Sequence, residues 1–176
     1  MVRDGDVKPP AQWPPHSNQH VKKSIALHVI EAGGQAVSSQ GPDTADDFRM
    51  QAVKAYTESG LFSLVVTTNE PTDLQTDITI LAGGSDGLSW SGAISALTLT
   101  MIPGVVSQDL VVTTTYRDRQ QKVIGSIRKN EDLGFWIQFF LLFAMPFVDG
   151  PTTIMSDTQY DMHRVTIDEA YRKGFF

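Results

Sequence analysis

Asp-Leu-Val-Val-Thr-Thr-Thr-Tyr-Arg-Asp-Arg (Asp109–Arg119), Gln120-Gln121, and Lys-Val-Ile-Gly-Ser-Ile-Arg-Lys (Lys122–Lys129) form the stretch on which the fold turns. Its first run is rich in the β-branched and aromatic residues that suit a pleated, half-buried surface. A short polar turn then leads into a second run of the same kind, the signature of an antiparallel hairpin. Immediately upstream, Ala96–Ile102 alternates, with Leu97, Leu99 and Met101 on one side, and Pro103-Gly104 closes it. Ser91–Ser95 reads as a helix or a bend. With the strand before Pro103, the hairpin predicts an antiparallel meander.

Working back toward the N-terminus, Ser24–Glu31 alternates with period two. Ile25, Leu27 and Val29 share a face and His28 falls on the other. Gly33-Gly34 breaks the strand. No Gly-x-Gly-x-x-Gly and no Gly-Lys-Ser/Thr follows, so the pair does not read as a phosphate loop. A helix is predicted from an N-cap at Asp43 or Thr44, with Asp46 and Asp47 in its first turn, where acidic groups suit the helix dipole. Phe48, Ala52, Ala55 and Tyr56 make its buried stripe, and Gly60 suits a left-handed C-cap. Strands are predicted at Leu61–Thr68 and Asp77–Leu81, with a loop at Gly83–Gly87.

Downstream lies Phe135–Val148, Phe-Trp-Ile-Gln-Phe-Phe-Leu-Leu-Phe-Ala-Met-Pro-Phe-Val, in which Gln138 is the one polar residue. It is short of the roughly 20 apolar residues a spanning helix needs. It also lacks the wet face of a surface helix. Three settings remain open: the core, a partner interface, or a membrane interface. A C-terminal helix is predicted from Thr153 to Lys173, with Tyr160, His163 or Arg164, Ile167 and Tyr171 near one face and Gly174 as its cap. His163 is expected to make a polar contact on that helix face, to Asp157 or Tyr160. The order β-α-β-β, then a meander, then helices predicts an α+β fold with a mostly antiparallel sheet, helices on one face and a C-terminal helix.

A chain of 176 residues supports a single domain with a proper core. Its net charge of −6 and pI near 5.0 argue against nucleic acid as a partner, which calls for a basic face. The absence of cysteine removes disulfides, thiolate catalysis and cysteine metal sites. Met1–Asp6 has no apolar h-region. Pro9-Pro10 and Pro14-Pro15 favour extended polyproline II, so residues 1–22 read as a flexible tether and 23–176 as the domain, with Trp13 able to dock back on it.

A resemblance enters at Arg49–Phe62, Arg-Met-Gln-Ala-Val-Lys-Ala-Tyr-Thr-Glu-Ser-Gly-Leu-Phe. This run resembles the helix, Ser-Gly-Leu-Phe, strand unit of small Gram-negative envelope lipoproteins. Asp73–Ile80 fits the next part of that pattern. Leu97–Pro103 and the run Trp136–Phe143 look like those of a group of uncharacterised proteobacterial lipoproteins. The opening βαβ half is similar to the N-terminal domain of the Tol-Pal periplasmic protein and to the lipoprotein subunit of the lipopolysaccharide-transport pore. The resemblance covers roughly residues 24–174 and lacks the lipobox and lipidated cysteine. It implies a lipid-anchored location on the periplasmic face of the outer membrane, an assembly or maintenance role, and no catalytic residue.

The residues taken alone offer little chemistry. His16 and His20 have the i, i+4 spacing of a helical metal pair but follow Pro14-Pro15 with no carboxylate nearby. No Gly-x-Ser-x-Gly elbow occurs. No catalytic residue, cofactor or metal is therefore expected. The expected contact residues are Phe135, Trp136, Phe139, Phe140, Leu142 and Phe143, because aromatic anchors dominate interfaces and amphipathic membrane contacts. Their partner would be an envelope protein or membrane lipid. Exposed side chains of this kind would also favour a homodimer. The alternative reading is a module that binds lipid or a small hydrophobic ligand between this stretch and the sheet.

Overall fold

The computed structural model describes residues 2–5, 7–15, 22–31, 43–68, 70–84, 104–137 and 151–176. In chain order these form β1 (Val2–Gly5), β2 (Lys23–Glu31), α1 (Asp43–Glu58), β3 (Phe62–Val66), β4 (Leu74–Gly84), β5 (Gly104–Asp118), β6 (Val123–Ile137) and α2 (Pro151–Arg172). The strands make one six-stranded sheet in the order β1-β6-β5-β4-β2-β3. β2 is parallel to both β3 and β4, and every other neighbouring pair is antiparallel. The fold is thus α+β with a mostly antiparallel sheet, as expected.

Alternation decides which face is covered. Along β4, Leu74, Thr76, Ile78 and Ile80 are buried, while Gln75, Asp77 and Thr79 are only partly so. β5 repeats the pattern with Leu110, Val112, Thr114 and Tyr116 inward. Period-two strands put all of these on the face where α1 and α2 lie side by side. The predicted stripe of α1, Phe48, Ala52, Ala55 and Tyr56, is fully in the core, and Met162, Ile167 and Ala170 of α2 join it. Each Leu- or Ile-sized side chain buried there contributes about 1.5–3 kcal/mol. Both predicted glycine caps adopt the left-handed conformation, Gly60 at φ 64° and Gly174 at φ 72°.

Three expectations are corrected. First, the third strand of the meander is β4: it pairs with β5 from Leu74↔Asp118 to Gly84↔Gln108, so that side of β5 is taken. Ala96–Ile102 lies outside the described residues. Second, the segment read as a flexible tether begins with a strand. β1 pairs with β6 from Val2↔Gly134 to Gly5↔Glu131, because β6 would otherwise be an open edge. Val7 is buried, and its amide donates to the Glu131 carboxylate at 3.4 Å. The prolines come only after these contacts. Trp13 does dock back, with the Arg164 guanidinium 5.2 Å from its ring centre. Third, the apolar stretch starts as strand: β6 continues through Phe135 and Trp136 to Ile137.

Candidate functional site

The two ends of the sheet are built differently. β2, β4 and β6 run one way and β5, between β4 and β6, runs the other, so Glu31, Gly84, Gly104 and Ile137 gather at one end. The connections 32–42, 85–103 and 138–150 all leave or arrive there. At the opposite end lie the short turns at Ser59–Leu61 and Arg119–Lys122, the loop between β3 and β4, and the arrival at Lys23 of the connection 6–22. Long connections on a rigid scaffold are where binding residues concentrate.

Of the candidate contact residues, Phe135 and Trp136 belong to the first end. Gly104–Val106 of β5 reach past the last residue of β4, and Phe135–Ile137 of β6 reach past the start of β1. Among the described residues these segments pair only with each other, in the register Gly104↔Ile137, Val105↔Trp136, Val106↔Phe135. The two paired segments thus extend beyond β4 and β1 by roughly 10 Å, three residues at strand rise. Phe135 and Trp136 stand on this ribbon. Phe139, Phe140, Leu142 and Phe143 lie outside the described residues, in the connection that the ribbon feeds.

The opposite end is closed by directional bonds and rings. Asp73 accepts from the Ser24 amide at 3.0 Å, from the Ser24 hydroxyl at 2.9 Å and from Arg119 at 2.8 Å. The hydrogen bonds from Ser24, with Arg119 and Lys23 adding charge, hold its carboxyl below the usual range. The Asp118 carboxylate accepts from the amides of Gln120 and Lys122, both at 2.9 Å, which fixes the β5–β6 turn with Gln121 at φ 66°. Inside, the hydroxyls of Tyr56 and Tyr116 share a bond of 2.8 Å, and burial pushes both phenols up. The C-terminus folds over them: Phe175 and Phe176 lie 5.7 and 5.6 Å from the Tyr116 ring, and Phe176 lies 4.9 Å from Phe62. The Phe175 ring occupies the space above Gly125 where a Cβ would stand.

The face of the sheet away from the helices carries a polar row. Register aligns His28, Asp77, Thr115 and Ser126 across four strands. Arg117 Nε donates to Asp77 Oδ2 at 2.8 Å, while His28 Nδ1 stands 3.6 Å from Asp77 Oδ1. That separation is too long for a hydrogen bond, and Arg117 holds the other oxygen, so the group is an ion-paired surface network. No sequence pattern pointed to it, because its members come from strands far apart in the chain. Around it Ile30, Leu64 and Leu81 are 49%, 52% and 44% exposed.

Among the histidines, His163 departs from expectation. It is fully buried on α2, its Nδ1 has no hydrogen-bond partner among the described residues, and desolvation pushes its pKa down to about 4. The polar contact expected of it is made by its neighbour: the Tyr160 hydroxyl donates to Glu58, and Lys54 and Arg164 lie over the Tyr160 ring. The helical period explains the swap, since His163 shares the inward row of Met162, Thr166 and Ile167. His16 and His20 lie outside the described residues. Among the described residues no three His, Cys, Asp or Glu side chains gather into a metal-binding group, and no helix is long and apolar enough to cross a membrane.

No protein-family model and no curated protein matches this sequence. Solved structures do resemble it in shape. The PelC dodecamer from Paraburkholderia phytofirmans is 8% identical with a TM-score of 0.44, over 93% of this chain and 95% of that one. A minor lipoprotein from Acinetobacter baumannii is 15% identical with a TM-score of 0.44, over 85% of this chain and 91% of that one. A neuraminyllactose-binding hemagglutinin homologue from Helicobacter pylori is 11% identical with a TM-score of 0.45, over 93% and 91%.

Proposed function

We propose that this chain is a non-enzymatic domain of a Gram-negative envelope lipoprotein, anchored at the periplasmic face of the outer membrane. In this reading it serves envelope assembly or maintenance by touching a protein partner or lipid. The contact would be made at the end of the sheet where the β5–β6 ribbon meets the apolar connection 138–150. The observation that carries the reading is the ribbon itself. The pair outruns its neighbours, bears Phe135-Trp136-Ile137 and in sequence leads directly into a further apolar run. Aromatic and aliphatic groups at such an end favour a protein interface or a lipid headgroup boundary. The resemblance of 49–62, 73–80, 97–103 and 136–143 to envelope lipoproteins supports the location.

The test is hydrogen exchange over residues 134–148 of the intact chain, with and without anionic and zwitterionic liposomes, at several protein concentrations. Protection that rises with liposomes or with concentration supports the reading. Full protection that neither addition changes would make the stretch core and remove the proposed contact.

A further inference from the structure

The connection between β1 and β2 carries an inference of its own, independent of the reading above. In the sheet order, four inter-strand steps separate β1 from β2. The chain must therefore cross roughly 19 Å of sheet between them. Residues 7–15 show the side on which the crossing begins. Val7 is buried beside Glu131, and six residues later Trp13 packs on α2. The segment thus sets out over the helix layer. Both ends of the crossing are fixed without it, since β1 is bonded to β6 and β2 to β3 and β4. Its middle can lift while the sheet stays whole.

Trp13 is half-buried, and it grips a polar face. The Arg164 guanidinium lies 5.2 Å from the centre of the Trp13 ring and 5.4 Å from that of Tyr160. Lys54 of α1 stands 4.8 Å from the same Tyr160 ring. These groups keep partners that do not belong to residues 7–15. Arg164 Nη1 donates to Asp161 at 3.1 Å, and the Tyr160 hydroxyl donates to Glu58. Departure of the indole therefore strands neither of them. Arg164 Nε, bonded to the carbon that faces the indole, is buried with no hydrogen-bond partner among the described residues. Water reaches it more readily once the indole has left, which offsets part of the lost contact. Lys8, Pro9, Ala11 and Pro14 are exposed, which leaves the ring as the main grip of this segment. Pro9-Pro10 and Pro14-Pro15 keep the released segment extended, so little freedom is lost when it seats again.

We infer that residues 7–15 form a reversible strap, and that Trp13 opens and closes the Tyr160–Arg164 face of α2 as that face's own occupant. Closed, the indole covers the guanidinium. Open, Tyr160, Arg164 and Lys54 present a cation–aromatic surface fitted to a tryptophan flanked by prolines, the chemistry of the strap itself.

The experiment places 5-fluorotryptophan in the full chain and follows the fluorine resonances of Trp13, Trp90 and Trp136, with Trp13 assigned through Trp13→Phe. The probe is the synthetic peptide Lys-Pro-Pro-Ala-Gln-Trp-Pro-Pro, the sequence of residues 8–15. A tethered segment competes at an effective concentration in the millimolar range, so millimolar peptide is the range that displaces it. Expected is a saturable shift of the Trp13 resonance toward its value in the free peptide, with Trp90 and Trp136 unmoved. The same peptide with alanine for tryptophan should have no effect. Arg164→Gln should raise the open-to-closed ratio roughly tenfold, the size of one partly desolvated cation–π contact. A Trp13 resonance already at the free value in the parent chain would overturn the inference. So would a Trp13 resonance that peptide leaves in place, a shift shared by all three tryptophans on adding peptide, or a closed fraction that grows with protein concentration, the mark of a second copy's strap.

Discussion

The two ends of this sheet solve opposite problems with the same strands. At the end of the Arg119–Lys122 turn directional bonds and rings meet: Asp73 and Asp118 accept several donors each, and Tyr56, Tyr116, Phe62, Phe175 and Phe176 interlock. At the end of Glu31, Gly84 and Ile137 the strands run out at different lengths and hand over to the connections 32–42, 85–103 and 138–150. Stability is concentrated where links are short, because short turns need few residues ordered and their bonds are local.

That contrast makes the sharpest prediction a large loss at the closed end. Tyr116→Ala removes a fully buried ring from beneath Phe175 and Phe176 and strips the Tyr56 hydroxyl of its partner. It should cost about 3–5 kcal/mol of unfolding free energy in a denaturant titration. A cost under 1 kcal/mol would mean the closed end is not where stability lies.

Acid gives the next largest effect. His163 is held neutral, with its pKa at about 4 against an ordinary 6.5. Between these values the unfolded chain takes up a proton that the folded one refuses. Stability is therefore complete above about pH 6.5, falls by up to about 1.4 kcal/mol per pH unit as the pH drops, and levels below about 4. His163→Leu should flatten that slope. An unchanged slope would assign the acid sensitivity elsewhere.

Gly125→Ala should cost less, about 1–2 kcal/mol, because its new Cβ would stand 2.2 Å from the Phe175 ring tip, at the movable end of the chain. The cost should shrink in a Phe175→Ala background, and a double-mutant cycle measures this directly. Asp73→Asn should lower the denaturation midpoint more modestly. Because the Asp73 carboxyl is held below its ordinary range, its contribution is present above the unfolded carboxylate pKa and disappears as pH falls through the folded value. Comparing the two midpoints at pH 7 and pH 3 checks this: the gap should close at the lower pH. The proposed contact end is probed by Trp136→Ala. It should diminish the liposome- or concentration-dependent protection of 134–148. A large stability loss with no change in that protection would reverse the comparison of the ends.

Much of the closed end was legible in the sequence. The Gln120-Gln121 turn, the Phe48/Ala52/Ala55/Tyr56 stripe and the Gly60 and Gly174 caps follow from periods and cap chemistry that operate within a few residues. The pairing of β4 with β5 was not, because alternation says that a strand exists and not which strand lies beside it. The β1 edge was missed for a related reason: four residues carry too little pattern, and the prolines that follow drew the reading toward a tether. For the candidate contact end, Phe135 and Trp136 stood out as apolar. That they continue β6 into a ribbon depended on how far each neighbouring strand extends.

What the sequence determined alone is local: turn chemistry, helix stripe and caps, strand alternation, an acidic and cysteine-free chain, and one apolar run. Each arises from interactions within a turn or two of backbone. Only the tertiary structure decided that His28, Arg117 and Asp77 share one face, that His163 points inward, that Trp13 packs on Arg164, and that β3 comes last in the sheet among the described strands. These outcomes depend on which elements meet. That is set by the burial of a shared core across residues far apart in the chain, and no local pattern records it.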